Sequence, residues 1–275
     1  MIDKLILFPY WLTLKCRHAL YNIGLFKSHK ASVPTICVGN ITVGGTGKTP
    51  HTEMIIRTLM EQSEWADKNI AVLSRGYKRK SSGFQQVPAG GRALDYGDEP
   101  QQIKQKFPMV TVAVDKSRKE GCKFLTDPES VKTTKKGRKC IFKEFPKSDI
   151  IILDDAFQHR SVKASVNIVL VDYSRPIFKD RLLPLGRLRD LPSRIKAADI
   201  VIVSKCPKYM EDEDKAMWIK KLNLREDQHL FFTTIAYDTP EAIFPEGDSR
   251  YLYAKNLILF SGIALYVSRR NRRKF

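Results

Sequence analysis

The run Val38–Pro50, VGNITVGGTGKTP, holds the residues whose types and spacing point most directly to chemistry. An apolar, β-branched stretch over 33–38 predicts a buried strand, a glycine-rich turn follows, and a helical pattern begins at Pro50. That is the layout of a phosphate-binding loop. Glycines let the backbone approach an oxyanion closely, and N–H groups at the helix start point at it. On this reading Gly44, Gly45, Thr46 and Gly47 cradle phosphate, Lys48 reaches the β- and γ-phosphates, and the Thr49 hydroxyl binds Mg2+. The first glycine of the usual G-x-x-x-x-G-K-[ST] spacing is replaced by Thr42, with Gly44 and Gly45 inside the loop instead. An ordinary glycine turn is the plainer alternative, and the Lys48-Thr49 pair weighs against it. The loop predicts nucleotide binding and leaves the phosphate acceptor open.

Asp154-Asp155 follows the run Asp149–Leu153, DIIIL. Apolar residues ending in an acid form a Walker B arrangement, which sets a carboxylate beside the Mg2+ of a nucleotide. Gln158, His159 and Arg160 continue it with polar side chains at the strand mouth; taken alone, His159 reads as a structural histidine. Gly97-Asp98-Glu99-Pro100 offers two adjacent carboxylates. Asp98 is either the cap of a helix over 101–106 or a base that orients an attacking hydroxyl, with Glu99 near the metal. Arginines also follow predicted strands: Arg75 in SRGY, Arg118 in DKSR, and Arg187 and Arg189 in LPLGRLRD. A guanidinium fork suits phosphate, and the competing reading is a surface ion pair.

These residues need a scaffold. Short apolar runs at 70–73, 109–114, 150–153, 168–171, 200–203 and 257–260 read as strands covered on both faces. Helical patterns at 50–62, 101–106 and 214–222 fall between some of them. The alternation predicts α/β layers with ligands at the carboxyl ends of the strands, where Lys48, Arg75 and Asp154-Asp155 stand. The lysine-rich stretch 127–149 reads as a surface excursion, and the Pro/Arg-rich stretch 175–194 as a break. The organisation expected is an interfacial segment at 1–31, a kinase-like domain at 32–174, and a second, smaller α/β lobe at 175–275.

Lys and Arg number 48 against 30 Asp and Glu, a formal charge of +18 over 275 residues, 43% of them hydrophobic. The excess favours a polyanionic partner. Part of it is local, in KTTKKGRK at 132–139 and RRNRRK at 269–274, and no nucleic-acid-binding module is recognisable. Five cysteines without C-x-x-C spacing fit reduced thiols rather than a disulfide or zinc framework. Leu5–Leu14, LILFPYWLTL, lacks a signal-peptide cleavage pattern and is too short to span a bilayer. Its aromatics among basic residues suit either a membrane interface or packing on the protein's own core.

In order, VGNITVGGTGKTP, LSRGY, GDEP, LDDAFQHR, LLPLGRLRD and VSKCP resemble the tetraacyldisaccharide 4′-kinase family over roughly residues 5–264. The resemblance implies a P-loop NTPase-like α/β/α fold with a second lobe and a membrane-associated N-terminal helix, at the cytoplasmic face of the inner membrane. It implies γ-phosphate transfer from ATP, with Mg2+, to the 4′-hydroxyl of an acylated disaccharide 1-phosphate. Carried over by motif, Lys48 and Thr49 hold phosphate and Mg2+, and Asp98 is the base. Glu99, Asp154 and Asp155 serve the metal, and Arg75, Arg118, Gln158 and His159 line the phosphate and substrate side. The absent glycine at 42 is typical of that family, and a bilayer-held substrate favours the interfacial reading of the N-terminus.

After LILFSGIA at 257–264 the sequence departs from the family pattern, and no histidine follows His229 to fill the family's D-H motif. The expectation is an interrupted or frameshifted end, a poorly closed second lobe and much reduced turnover. The alternatives are a phosphate-loop GTPase or ATPase acting as assembly factor or metallochaperone, or a nucleotide-binding remnant. VSKCP has Cys206-Pro207 where a guanine-reading N-K-x-D motif needs its aspartate.

Overall fold

The computed structural model describes residues 2–133 and 145–236. The expected strand at 257–260, the basic run 269–274 and most of the run 132–139 lie outside the described residues. The described residues up to 234 belong to one compact unit.

The centre of this unit is a sheet of eight strands among the described residues: β1 Thr35–Asn40, β2 Ile70–Ser74, β3 Gln85–Gln86, β4 Thr111–Val114, β5 Ile150–Asp154, β6 Val166–Asp172, β7 Ile200–Cys206 and β8 His229–Thr234. They lie in the order β3-β4-β2-β5-β1-β6-β7-β8. Every pairing is parallel except that of β3 with β4. The helices are α1 Ile2–Asn22, α2 Lys48–Glu61, α3 Ala93–Tyr96, α4 Asp98–Lys106, α5 Arg118–Thr126 and α6 Asp212–Leu222.

Alternate residues of β1, β2, β4, β5, β6 and β7 enter two separate cores. Cys37, Ala71, Leu73, Ile151, Leu153, Val169 and Val201 pack with Leu14 of α1, Phe124 and Leu125 of α5 and Trp218 of α6. Val38, Val72, Val112, Ile152, Leu170 and Ile202 pack with Ile55 and Ile56 of α2, Tyr96 of α3 and Ile103 of α4. Both faces are buried, which is why the strands read as unbroken apolar runs.

The expected boundary at 174/175 falls inside this sheet, because β6 and β7 flank it and pair from Ile168↔Ile200 to Asp172↔Ser204. The segment between them is a packed crossover, with Leu182, Leu188 and Leu191 buried. Three elements differ from the sequence expectation for local reasons. The strand expected from Met109 starts at Thr111, and Met109 is exposed. Helix α5 is absent from the sequence expectation; a Cβ on Gly121 would stand 2.7 Å from Leu73, so glycine is what lets α5 approach β2. The edge strand β8 has polar and half-exposed positions and carries little apolar signal.

Helix α1 contains Pro9 yet runs 21 residues. Leu7, Tyr10, Leu14, His18 and Tyr21 recur at three- and four-residue spacing; Leu14 and His18 are buried, and Leu7 and Tyr10 pack against the core. Tyr10 donates to the Arg189 carbonyl at 2.9 Å and Arg17 to that of Gln158 at 2.6 Å. His18 Nε2 donates to the fully buried Asp190 carboxylate at 2.6 Å, while Arg160 donates to its Nδ1 at 3.3 Å. That pattern fits a neutral ring, and burial pushes its pKa down against the pull of Asp190. The sequence-identified N-terminal segment is therefore fastened to the loops that follow β5 and β6. Replacing His18 by Ala strips Asp190 of its closest side-chain partner; we expect a loss of roughly 2–3 kcal/mol in chemical denaturation.

Candidate functional site

The site lies where the carboxyl ends of β5, β1 and β6 meet. The chain leaves β1 to one side of the sheet and returns to the other through β6, so a crevice opens there. Pairing of Val38 with Asp154 sets the last residue of β5 beside the strand that feeds the glycine loop.

The loop follows from local constraints. Thr42 forms an antiparallel bridge with Leu188, Val43 N–H donates to the Arg187 carbonyl at 2.8 Å, and Arg189 N–H donates to that of Ile41 at 2.9 Å. Position 42 is thus in a short extended ladder and needs no glycine. The left-handed positions are Gly44 at φ +106° and Gly47 at φ +85°, and glycine is required at these. Gly47 caps α2, which begins at Lys48 rather than at Pro50 as expected; Pro50 sits in the first turn, where its missing N–H has no helical partner to lose. Asn40 donates through Nδ2 to the Thr46 hydroxyl at 2.8 Å, which anchors the buried middle of the loop.

Lys48 Nζ stands 3.7 Å from Asp155 Oδ1. Arg189 grips the same carboxylate through both terminal nitrogens and also contacts the Asn40 side-chain oxygen. These cations outweigh burial and hold Asp155 below the usual carboxylate range. Asp155 occupies the left-handed region at φ +46°, which aspartate tolerates better than most residues. Asp154 behaves differently. It accepts from Ser74 Oγ at 3.2 Å through Oδ2, while its buried Oδ1 has no hydrogen-bond partner among the described residues. Burial, with Glu99 and Asp155 nearby, pushes its carboxyl up to about 6. A buried carboxylate with one free oxygen and acidic neighbours is a site deficient in positive charge. No group of three or more His, Cys, Asp or Glu side chains among the described residues forms a metal cage. One carboxylate and a hydroxyl suit a cation that keeps its other positions for phosphate and water, as Mg2+ does.

Asp98 and Glu99 are exposed at the first turn of α4. The cap position belongs to Gly97, with no side-chain capping bond, so the capping reading of Asp98 is corrected. Gly97, at φ +100°, abuts Gly76: a Cβ on Gly97 would lie 3.3 Å from the Gly76 Cα. The SRGY and GDEP segments are one contact, glycine against glycine, and it places Arg75 and the two acids at the same rim.

The remaining sequence-identified residues divide. Arg75 is exposed. Gln158 donates to the Asn40 carbonyl at 3.2 Å and so braces the end of β1. His159 is pushed down to about 4 by burial, with Arg118 and Arg75 adding to the effect, and is neutral near pH 7. Arg118 is not brought to the crevice. It is 1% exposed, and its two terminal nitrogens donate to the carbonyls of Asp115 at 2.6 Å and Asp154 at 2.8 Å. Its guanidinium holds the end of β5 and is not open to a ligand. Sequence reasoning gave no part to Asn40, His51, Asp172 or Lys205. Arg189 was visible only as one basic residue of a loop, because the partner that defines it lies 34 positions away.

Residues 5–265 match the family described as tetraacyldisaccharide-1-P 4′-kinase. A tetraacyldisaccharide 4′-kinase of Phocaeicola vulgatus is 44% identical over 252 residues, covering 90% of this chain and 64% of that protein. One from Parabacteroides distasonis is 41% identical over 264 residues, covering 94% and 66%. The chain thus spans less than two thirds of the length of these relatives. Among solved structures, the crystal structure of an "apo" form LpxK from Aquifex aeolicus in complex with ATP is similar at 26% identity and a TM-score of 0.58, covering 88% of this chain and 86% of that one.

Asp154 supplies a test that needs no relative. A carboxyl raised in the folded state favours folding fully below the ordinary value near 4, and that contribution is lost as pH rises through about 6. With neither metal nor nucleotide, Asp154→Asn is therefore expected to raise the thermal midpoint by roughly 5 °C at pH 7.5. The gain should shrink as pH falls toward 4; calorimetry of both proteins across that range checks it.

Proposed function

The chain belongs to the tetraacyldisaccharide-1-P 4′-kinase family, and on that basis we propose that it moves the γ-phosphoryl group of ATP to the 4′-hydroxyl of an acylated disaccharide 1-phosphate. The observation that carries the reading is the junction of β1 and β5, where Lys48 lies between the glycine loop and the Asp154-Asp155 pair.

Phosphoryl transfer requires alignment and charge neutralisation more than covalent chemistry. The N–H groups of Gly47 and Lys48 and the Lys48 ammonium receive the phosphates. Thr49 and Asp154 would hold Mg2+, with Asp155 and Glu99 alongside, and the ion would supply positive charge to the phosphates. Asp155, ionised and fixed by Arg189, keeps the Lys48 ammonium in place before nucleotide arrives. Asp98, exposed at the start of α4, takes the proton of the attacking sugar hydroxyl as the new P–O bond forms and ADP departs. Arg75 supplies positive charge on the acceptor side, and neutral His159 supplies hydrogen bonding without charge. Gln158 lies behind them as a brace.

We also assign α1 to an anionic membrane surface. No helix among the described residues is long and apolar enough to cross a bilayer. Leu5, Phe8 and Leu12 follow one face of α1 and are exposed, Leu5 by 77%, while the opposite face is fastened to the body. Phe8 stacks on Trp11 at 6.0 Å, and Lys15 lies 5.6 Å over the Trp11 ring. Rings and cations at one level suit a headgroup layer. The cytoplasmic face of the inner membrane completes the proposal.

Transfer of 32P from labelled ATP to tetraacyldisaccharide 1-phosphate in mixed micelles tests the activity. Lys48→Ala should abolish lipid product, and Asp98→Asn should lower kcat by about 10²–10⁴ with the KM for ATP little changed. ATP hydrolysis without phosphorylated lipid rejects the kinase reading. For the surface, Phe8→Ser with Leu12→Ser should cut co-sedimentation with anionic vesicles by roughly tenfold or more, at unchanged helicity by circular dichroism.

A further inference from the structure

Three consecutive carbonyls of the phosphate loop each accept a hydrogen bond from a side chain outside it. Lys205 Nζ donates to Gly45 O, Ser204 Oγ to Thr46 O at 2.8 Å, and His51 Nδ1 to Gly47 O at 2.7 Å. Across a planar trans peptide the N–H points opposite to the C=O. Engaging the carbonyls of Thr46 and Gly47 therefore sets the N–H groups of Gly47 and Lys48 on the opposite side, as an anion requires, whereas the Thr46 N–H, opposite the Gly45 carbonyl, donates to the Gly44 carbonyl at 3.1 Å and closes a tight turn.

Of the three donors, Lys205 has the most elaborate seat. Its own backbone is left-handed at φ +59°, at an irregularity in the pairing of β7 with β8, and this swings the side chain back over the loop. Its ammonium also pairs with Asp172 Oδ2 at 2.8 Å, at the end of β6. Asp172 is 3% exposed and takes further bonds from Arg175 at 3.0 Å and from the Ser174 N–H and hydroxyl at 2.9 and 2.6 Å. Arg175 in turn lies under Gly44, with NH1 3.4 Å from where a Cβ would stand. An ion pair with one buried partner, aimed at a backbone carbonyl, is a rigid support rather than a loose surface contact.

We propose that Lys205, seated on Asp172, is a positioning residue for nucleotide phosphate: it fixes the Gly45 carbonyl and with it the turn at 44–46, and so presets the loop before ATP binds. The inference rests on the ATP reading of the loop and extends it to the ends of β6 and β7. Lys205 acts through the loop and touches no reacting atom.

Titration calorimetry of the full chain with MgATP tests this. Lys205→Met keeps the stem and the left-handed backbone demand while removing the amine. Its Kd for MgATP should rise about tenfold, Lys205→Arg should recover most of that, and the nucleotide-free thermal midpoint should fall by no more than about 2 °C. In the transfer assay the KM for ATP should rise while the KM for the lipid acceptor stays. An unchanged Kd in Lys205→Met overturns the proposal. So does a fall in midpoint that matches the affinity loss with no recovery in Lys205→Arg. Should Lys205→Met fail to fold, Asp172→Asn must raise the Kd in the same direction, and an unchanged value there overturns the proposal equally. Wild-type protein that does not bind MgATP, or Lys48→Ala that binds it as well as wild type, removes the ATP reading and this inference together. Wild-type binding with an unaltered Lys205→Met removes this inference alone.

Discussion

The parallel pairing of β1 with β5, registered at Val38↔Asp154, is the constraint on which the site depends. It sets two chain segments more than a hundred positions apart side by side, so that the loop leaving β1 and the acids closing β5 share one crevice. Both strands are buried on both faces, and a slip of one residue would exchange their inward sets between the two cores. Packing thus fixes the register, and the register fixes the distance between phosphate cradle and carboxylates. The ion pairs of Asp155 with Lys48 and Arg189 then operate over a geometry that the core has already decided.

The two aspartates show how one strand end serves two electrostatic ends. Asp155 turns out of the strand into a left-handed conformation, meets two cations and stays ionised. Asp154 remains in line with β5, buried, with one oxygen unpartnered and its carboxyl raised to about 6. The first is satisfied without a ligand; the second leaves Oδ1 open to a proton or a cation. Arg118, sealed beneath them against the Asp154 carbonyl, keeps the strand end fixed without competing for that cation. The phosphate loop is held in a similar way, with the Thr46 and Gly47 carbonyls engaged by Ser204 and His51 so that the Gly47 and Lys48 amides are left for a ligand.

Much of this was legible in the sequence, where physical cause is local. The glycine loop, the acids after β5 and the apolar strands follow from spacing that neighbouring residues enforce. The pairing of SRGY with GDEP was readable only as two motifs, because the contact of Gly76 with Gly97 has no sequence period. The roles of Arg118, Arg189 and Lys205 were not readable, since each is defined by a partner across a crossover. Arginine after a strand signals charge, and only the fold decides whether the guanidinium is left exposed, as that of Arg75 is, or engages a backbone carbonyl, as that of Arg118 does. Helix α5 was not expected from the sequence, and the reason for its Gly121, the approach of Leu73, lies in another element.

If the β1–β5 junction binds a nucleotide's phosphates and its metal together, Asp154 supplies the carboxylate oxygen, Oδ1, that has no partner among the described residues. A crystal structure of the full chain with Mg2+ and a non-hydrolysable ATP analogue measures this. The β- and γ-phosphates are expected in the loop at 44–48, with the ion held by Thr49 and Asp154 while Asp155 keeps Arg189. Phosphates bound elsewhere, or a metal held without Asp154, would be incompatible with the proposed site.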